Sequence, residues 1–497
     1  MKKVITETEE QVAQRERKQF VKMTQTSMPK LIISLGIPTM LSMMVTSLYN
    51  LADTAFVSTL GDPAIAAVGN LLALMSIIQA IGFTFGMGSG AIVSRLLGKR
   101  DREGADKVAS SAFAIALVSG LLITLFGLVF MTPLIKLLSS NDNPLTMQYS
   151  KDYTLYILLS APIMCISFVM NNVLRAEGKA VLSMIGLIAG AIINVALDPI
   201  LIFCFDMEVA GAAIATFASQ CISFLVLLIM FLSGKTIVRF RLRAVSLKFR
   251  IYGDIIATGF PSFCRQILAS LCTVFINRAA ATYGVLAYPD LPDKGGADAA
   301  QSALGVVQKM FMLAFSISLG IGQGYQPVLG YNYSAKRFDR VRSAYLFTLA
   351  FSTGLMVAFA LVCGFGSSLI MKLFSLSPEA IEIGTITLIL QCFAMPLLPV
   401  NFMAGLTYQV VGNKAIASLL SISRQGLFYI PLVLLLPKMF DLLGVEMCQA
   451  VSDVFAFLFA LPFTFAFFKT LKKEQRKVDE GTKWTGQVRD ELQNIEN

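Results

Sequence analysis

The chain has 497 residues, of which 56% are hydrophobic and only 14% are Asp, Glu, Lys or Arg, with a mean hydropathy of +0.70. That balance excludes an ordinary soluble domain and places the chain among integral membrane proteins. The absence of histidine removes most general-base, zinc and haem chemistry, and the formal net charge of +10 sits in connections between apolar runs, where it orients a membrane protein and makes no soluble nucleic-acid-binding face.

In chain order, residues 1–26 are polar and of mixed charge, and the first apolar run is too long for a signal core, so no cleavable signal is expected. Six apolar stretches follow at Leu31–Leu60, Ala64–Leu97, Ala112–Leu138, Leu155–Leu174, Val181–Phe205 and Val209–Leu232. Six more run Ile255–Tyr283, Ala299–Leu329, Ala344–Phe374, Ile381–Val411, Ala415–Leu436 and Val445–Phe468. Each can cross a hydrocarbon core, which takes roughly 20 helical residues, and none alternates as a barrel strand would. Basic residues crowd every second connection, among them Lys99, Arg100 and Arg102, then Arg175 and Lys179, and later Lys336, Arg337 and Arg340. By the positive-inside rule those connections and both termini face the cytoplasm, which implies a multi-pass plasma-membrane protein. The eight cysteines lie within apolar stretches without Cys-x-x-Cys spacing and read as small buried hydrophobes.

The halves repeat. Gly36–Thr39 through Gly61 matches Gly259–Ser262 through Gly284 without a gap, and Gly69, Gly86 and Gly88 pair with Gly305, Gly322 and Gly324. Pro162 and Gly178 pair with Pro396 and Gly412 at one offset. Six spans per unit is an even number, so the repeat is parallel, about an axis along the membrane normal. The expected fold is all-α, with twelve transmembrane helices in two pseudo-twofold related six-helix bundles. The expected divisions are a cytoplasmic segment 1–27, an N-lobe 28–233, a linker 234–250, a C-lobe 251–470 and a cytoplasmic tail 471–497. Two lobes about a central axis are the usual build of an alternating-access carrier.

Acids inside apolar spans carry the most information, because one at a helix centre costs on the order of 3 kcal/mol. Asp53 in the first span and Asp198 in the fifth reach a similar depth in the outer half, and Thr216 in the sixth comes back to that level. Tyr49 and Asn194 each stand four residues before an acid, on its face of the helix, and Asn171 in the fourth span adds an amide. Two close carboxylates in a poorly solvated site resist double ionisation, which suits them to take up a proton or a sodium ion. The alternative is that each acid caps a bent helix end, as Pro199 after Asp198 allows. In the repeat, Asp53 aligns with Ile276 and Asp198 with Tyr429–Ile430, so the second lobe is expected to lack the acids.

Pro38 removes a backbone hydrogen bond below Asp53 and is either a hinge that responds to ion binding or a packing kink shared with Pro261. Gly82, Gly86 and Gly90 make a small-residue face for close helix packing. Arg265 and Arg278 in the seventh span either line a cavity or pair with helix ends.

The stretch Leu51–Val57, the run Asn194–Pro199 and the twofold six-helix repeat resemble the multidrug and toxic compound extrusion (MATE) transporters over residues 28–470. The resemblance implies a V-shaped cleft between bundles and antiport of organic, often cationic, compounds against H+ or Na+. It implies a cation-coupling set of Asp53, Asp198, Asn194, Thr216 and Asn171, with Tyr49 and Pro38 at the cavity and in gating. Asp53 and Asp198 would be metal ligands only if sodium drives transport. The second-lobe acids of some members, in the seventh and tenth spans, are missing here. No cofactor beyond the coupling ion is expected, no enzymatic activity, and as partners only small organic substrates and the lipid bilayer, with the chain acting as a monomer and binding no nucleic acid. A flippase for lipid-linked oligosaccharides or other lipids is the main rival, and Arg265 and Arg278 keep it open.

Overall fold

The computed structural model describes residues 9–138, 144–289, 291, 295–374 and 376–496. An amphipathic helix α1 (Glu9–Gln25) precedes α2 (Met28–Ser58), α3 (Asp62–Gly98), α4 (Arg102–Val129) and the short α5 (Met131–Leu138). Helices α6 (Pro144–Ala176), α7 (Ala180–Pro199) and α8 (Glu208–Leu232) complete the first lobe. The second lobe holds α9 (Phe249–Ala287), α10 (Gly295–Ser334), α11 (Phe338–Phe365) and the short α12 (Ser367–Leu373). It ends with α13 (Pro378–Ala394), α14 (Leu398–Val411), α15 (Lys414–Ile422) and α16 (Ile430–Glu496).

Among the described residues, 11 stretches are long and apolar enough to cross a membrane. The last, Lys414–Glu480, folds back on itself where Phe440 and Asp441 leave helical geometry. Phe428 stacks on Phe455 and Arg424 bonds Asp453 across that hairpin, so the stretch makes two passes. The outcome is a multi-pass, all-helical protein of two six-helix lobes.

The repeat extends to backbone detail. Gly178 and Gly412, paired in sequence, both take positive φ (77° and 101°), the left-handed turn that ends a helix and that glycine adopts without steric cost. Arg100 and Lys336, also equivalent, take φ 61° and 56°. Proline shapes both lobes in related places. Pro199 is followed by a π-helical turn at Ile200–Cys204, and a second π-helical stretch, Ser423–Tyr429, precedes Pro431. Such wide turns arise where a helix absorbs an extra residue and are frequent at functional sites.

The lobes meet at the end that carries the basic connections. There α3 packs on α9 so closely that a Cβ at Gly259 would strike the Thr84 carbonyl and one at Gly88 the Ile255 carbonyl. Gly36 of α2 and Gly324 of α10 meet in the same way. Gly82 and Gly86 receive Phe168 and Asn172 of α6, the close packing expected of that face.

Two features of this end go beyond a simple polar segment and linker. Helix α1 lies across both lobes: Gln19 donates to the Glu177 carbonyl (2.8 Å), while Asn332 and Arg337 donate to the carbonyls of Met23 (3.0 Å) and Thr24 (2.9 Å). The segment between the lobes is pinned to the first one. The buried Glu177 carboxylate accepts the N–H groups of Ile237 (2.9 Å) and Val238 (2.8 Å), and Asp106 accepts that of Arg239 (2.8 Å).

Candidate functional site

Between the lobes lies a cavity of about 440 Å³, lined from the first lobe by Tyr49, Asn50, Phe168, Asn171 and Arg175 and from the second by Arg265, Phe311, Gln391, Arg424 and Glu446. The glycine contacts close it at the basic end.

Behind the first-lobe wall sits a polar pocket. Asp198 is fully buried on the last turn of α7, held at that level by Pro199 and the π turn that follows. Asn194, one helical turn earlier, directs its amide N–H2 at Asp198 Oδ1 (3.5 Å) and Thr216 Oγ1 (3.5 Å). Asp53 on α2 is half-buried and close enough for its charge to act on Asp198, and both carboxylates act on Tyr49. Three oxygens here are buried without a hydrogen-bond partner among the described residues: Asp53 Oδ1, Asp198 Oδ2 and Asn194 Oδ1. Buried acceptors are rarely left so, and a carboxylate least of all, because its solvation is lost without compensation. Unpartnered acceptors of this kind are suited to a proton or a hard cation with oxygen ligands. Tyr49 belongs to both the pocket and the cavity wall and is the physical link between them.

The structure thus brings together Asp53, Asp198, Asn194, Thr216 and Tyr49 of the expected set. It places Asn171 elsewhere. Asn171 Oδ1 accepts from Ser183 Oγ (2.9 Å), and Ser183 stands about 22 Å before Asp198 along α7 at 1.5 Å per residue. Asn171 is on the cavity wall but in another network, with Ser183, Arg175 and Gln323, because its position near the basic end of α6 cannot reach the opposite end of α7. Pro38 is inside a continuous α2, beside the Gly36–Gly324 contact, and its own carbonyl accepts from Ser42 Oγ (2.7 Å). Among the described residues no three His, Cys, Asp or Glu side chains cluster as a metal site, so a sodium ion at Asp53 and Asp198 would need amide and hydroxyl oxygens as well.

Several residues escaped the sequence reading. Tyr153 of α6 is fully buried within reach of the charges of Asp53 and Asp198; it follows Lys151 and Asp152, before the apolar stretch Leu155–Leu174, so hydropathy gave no signal for it. Arg175, counted among the loop charges, is buried and lines the cavity. The second lobe lacks acids at the positions equivalent to Asp53 and Asp198, as expected, but has buried acids elsewhere. Asp453 pairs with Arg424 (2.7 Å) and accepts from Gln449 (3.0 Å), and Glu446 is buried in the cavity wall. They lie on the twelfth span, not at the positions equivalent to Asp53 and Asp198. Arg265 lines the cavity, whereas Arg278 is exposed.

A two-lobed helical bundle with an inter-lobe cavity and an acid pocket behind one wall defines a membrane transporter. The MatE family profile matches residues 38–200 and 297–435, more than half of the chain, so the protein belongs to the MatE family, the multidrug and toxic compound extrusion transporters. It is 27% identical to the multidrug export protein MepA of Staphylococcus haemolyticus over 87% of this chain and 93% of that one. Against MepA of Staphylococcus saprophyticus the identity is 26%, over 90% and 95%. It superposes with TM-score 0.84 and 26% identity on an outward-facing multidrug resistance MATE family transporter, covering 91% of this chain and 98% of that one. A MOP superfamily transporter from Pyrococcus furiosus, described as having a binding pocket of reverse polarity that suggests a different function, matches with TM-score 0.83 and 26% identity over 91% and 98%.

Proposed function

We propose that the protein exports amphipathic organic compounds, drugs among them, by antiport against H+ or Na+, with the driving ion taken up at Asp53 and Asp198. The observation that carries this is the set of unpartnered oxygens on Asp53, Asp198 and Asn194, joined to the cavity through Tyr49. A bound cation neutralises the pocket and changes what Tyr49 and α2 present to the cavity. Release of the ion returns an uncompensated charge to the pocket, and that difference couples ion to cargo. The basic end, closed by glycine contacts and crossed by α1, is the cytoplasmic end in this reading, with both termini there and the cavity facing outward. One chain holds both the cavity and the ion pocket, so a monomer suffices, and the ion is the only co-reactant needed.

The test is substrate-driven exchange in proteoliposomes at fixed pH, with and without a sodium gradient. Transport that follows one of the two gradients supports the reading and names the ion. Transport that follows neither would remove the coupling claim. Selective movement of fluorescent lipids in place of soluble dyes would favour a flippase.

A further inference from the structure

We propose that Arg265 and Arg424 form an anion subsite in the second-lobe wall, so that preferred cargo carries a carboxylate, sulfonate or phosphate beside its apolar body. The inference deepens the export reading and rests on the cavity being the path of the cargo.

Arg424 is 8% exposed and lines the cavity from the π-helical stretch Ser423–Tyr429. Its Nε donates to Asp453 Oδ1, while among the described residues its buried Nη2 has no hydrogen-bond partner and neither does Asp453 Oδ2. Arg265 of α9 lies within electrostatic reach of Arg424 and shares the same recess, and none of the described ion pairs includes it. The guanidinium groups lie over phenylalanine rings, Arg265 5.3 Å from that of Phe402 and Arg424 4.9 Å from that of Phe311. Ring faces offset only part of the cost of burying a cation that never loses its proton. Asp453 balances one of the two charges. Glu446, the remaining wall acid of this lobe, stands two turns from Asp453 on α16, about 10 Å away along the axis. One positive charge is left uncompensated, with the unpartnered Nη2 of Arg424 and apolar rings beside it, and guanidinium groups are suited to planar oxyanions. An aryl or acyl compound ending in an acid meets both needs. Glu446, further along the wall, can hold an amine on the same molecule.

The probe is one fluorophore in two charge states, dansylglycine and its neutral amide, titrated onto the protein in phosphatidylcholine nanodiscs. The carboxylate form should bind at least ten-fold tighter than the amide. Arg265→Gln should abolish that preference with amide binding unchanged, and Arg265→Lys should restore part of it. Because Arg424→Gln alone strands Asp453, the double variant Arg424→Gln with Asp453→Asn is the second arm, and it too should lose the preference. Equal affinities in the unaltered protein, or a preference that survives Arg265→Gln, would overturn the subsite. Nanodiscs containing phosphatidylglycerol separate the sources of the anion. Competition that disappears in Arg265→Gln means a lipid headgroup uses the subsite, and unaltered affinity means soluble acids do. Failure of the export reading looks different: the binding preference stands, yet neither form is moved by an ion gradient.

Discussion

The two lobes share a backbone and differ in how they treat buried charge. In the second, Asp453 faces Arg424 at 2.7 Å with Gln449 in support, and the pair ties α16 to the π-helical stretch before it. All three acids leave one oxygen without a hydrogen-bond partner among the described residues, but in the first lobe Asp53 and Asp198 also have no basic partner among the described ion pairs. A paired charge holds structure, whereas an unpaired one awaits a ligand. The contrast between lobes is therefore one of partners rather than of the presence or absence of acids.

The contrast can be broken first where the expected effect is largest. Arg424→Ala strands Asp453 and should cost about 3–5 kcal/mol in thermal unfolding of the detergent-solubilised protein. Arg424→Met with Asp453→Leu should recover most of that. If the double variant falls as far as the single one, the pair is not what holds this hairpin. Next is Glu177→Gln, which weakens two charge-assisted bonds to Ile237 and Val238, worth about 1.5–3 kcal/mol each. Amide exchange at those two residues should quicken, and unchanged protection would mean the inter-lobe segment is held by other contacts.

The acid pocket of the first lobe should respond with the opposite sign. Asp198→Asn removes a buried, uncompensated acid, so stability should hold or rise by about 1 kcal/mol. A loss on the scale of Arg424→Ala would make Asp198 a structural acid and erase the distinction. The smallest effect on stability is expected at Pro38→Ala, since the helix is already continuous there and regains a donor. Its melting temperature should match that of the parent while transport slows several-fold. Transport at the parent rate would leave Pro38 as a packing kink shared with Pro261.

Much of the scaffold was legible before the structure. Twelve apolar runs, their order and the parallel repeat follow from hydropathy and from Gly and Pro spacing, and Gly178 and Gly412 repeat even in φ. Depth along a helix also placed Asp53, Asp198, Asn194 and Thr216 together. What escaped depends on partners remote in sequence. Helix α1 buries Val12, Met23 and Thr24 under both lobes, yet its sequence is polar on average and carries only a local apolar stripe. Asn171 was assigned by residue type although its height on α6 puts it at the far end of α7. Asp453 went unnoticed because its meaning lies in Arg424, on a different pass of the membrane.

The most direct measurement of the central claim is gradient-driven transport by Asp53→Asn and Asp198→Asn, set beside gradient-free counterflow in the same liposomes. Counterflow reports the cavity and the lobes, and gradient-driven accumulation reports the ion pocket. The account predicts that both variants keep counterflow and lose at least ten-fold in accumulation. Full accumulation by both would contradict it.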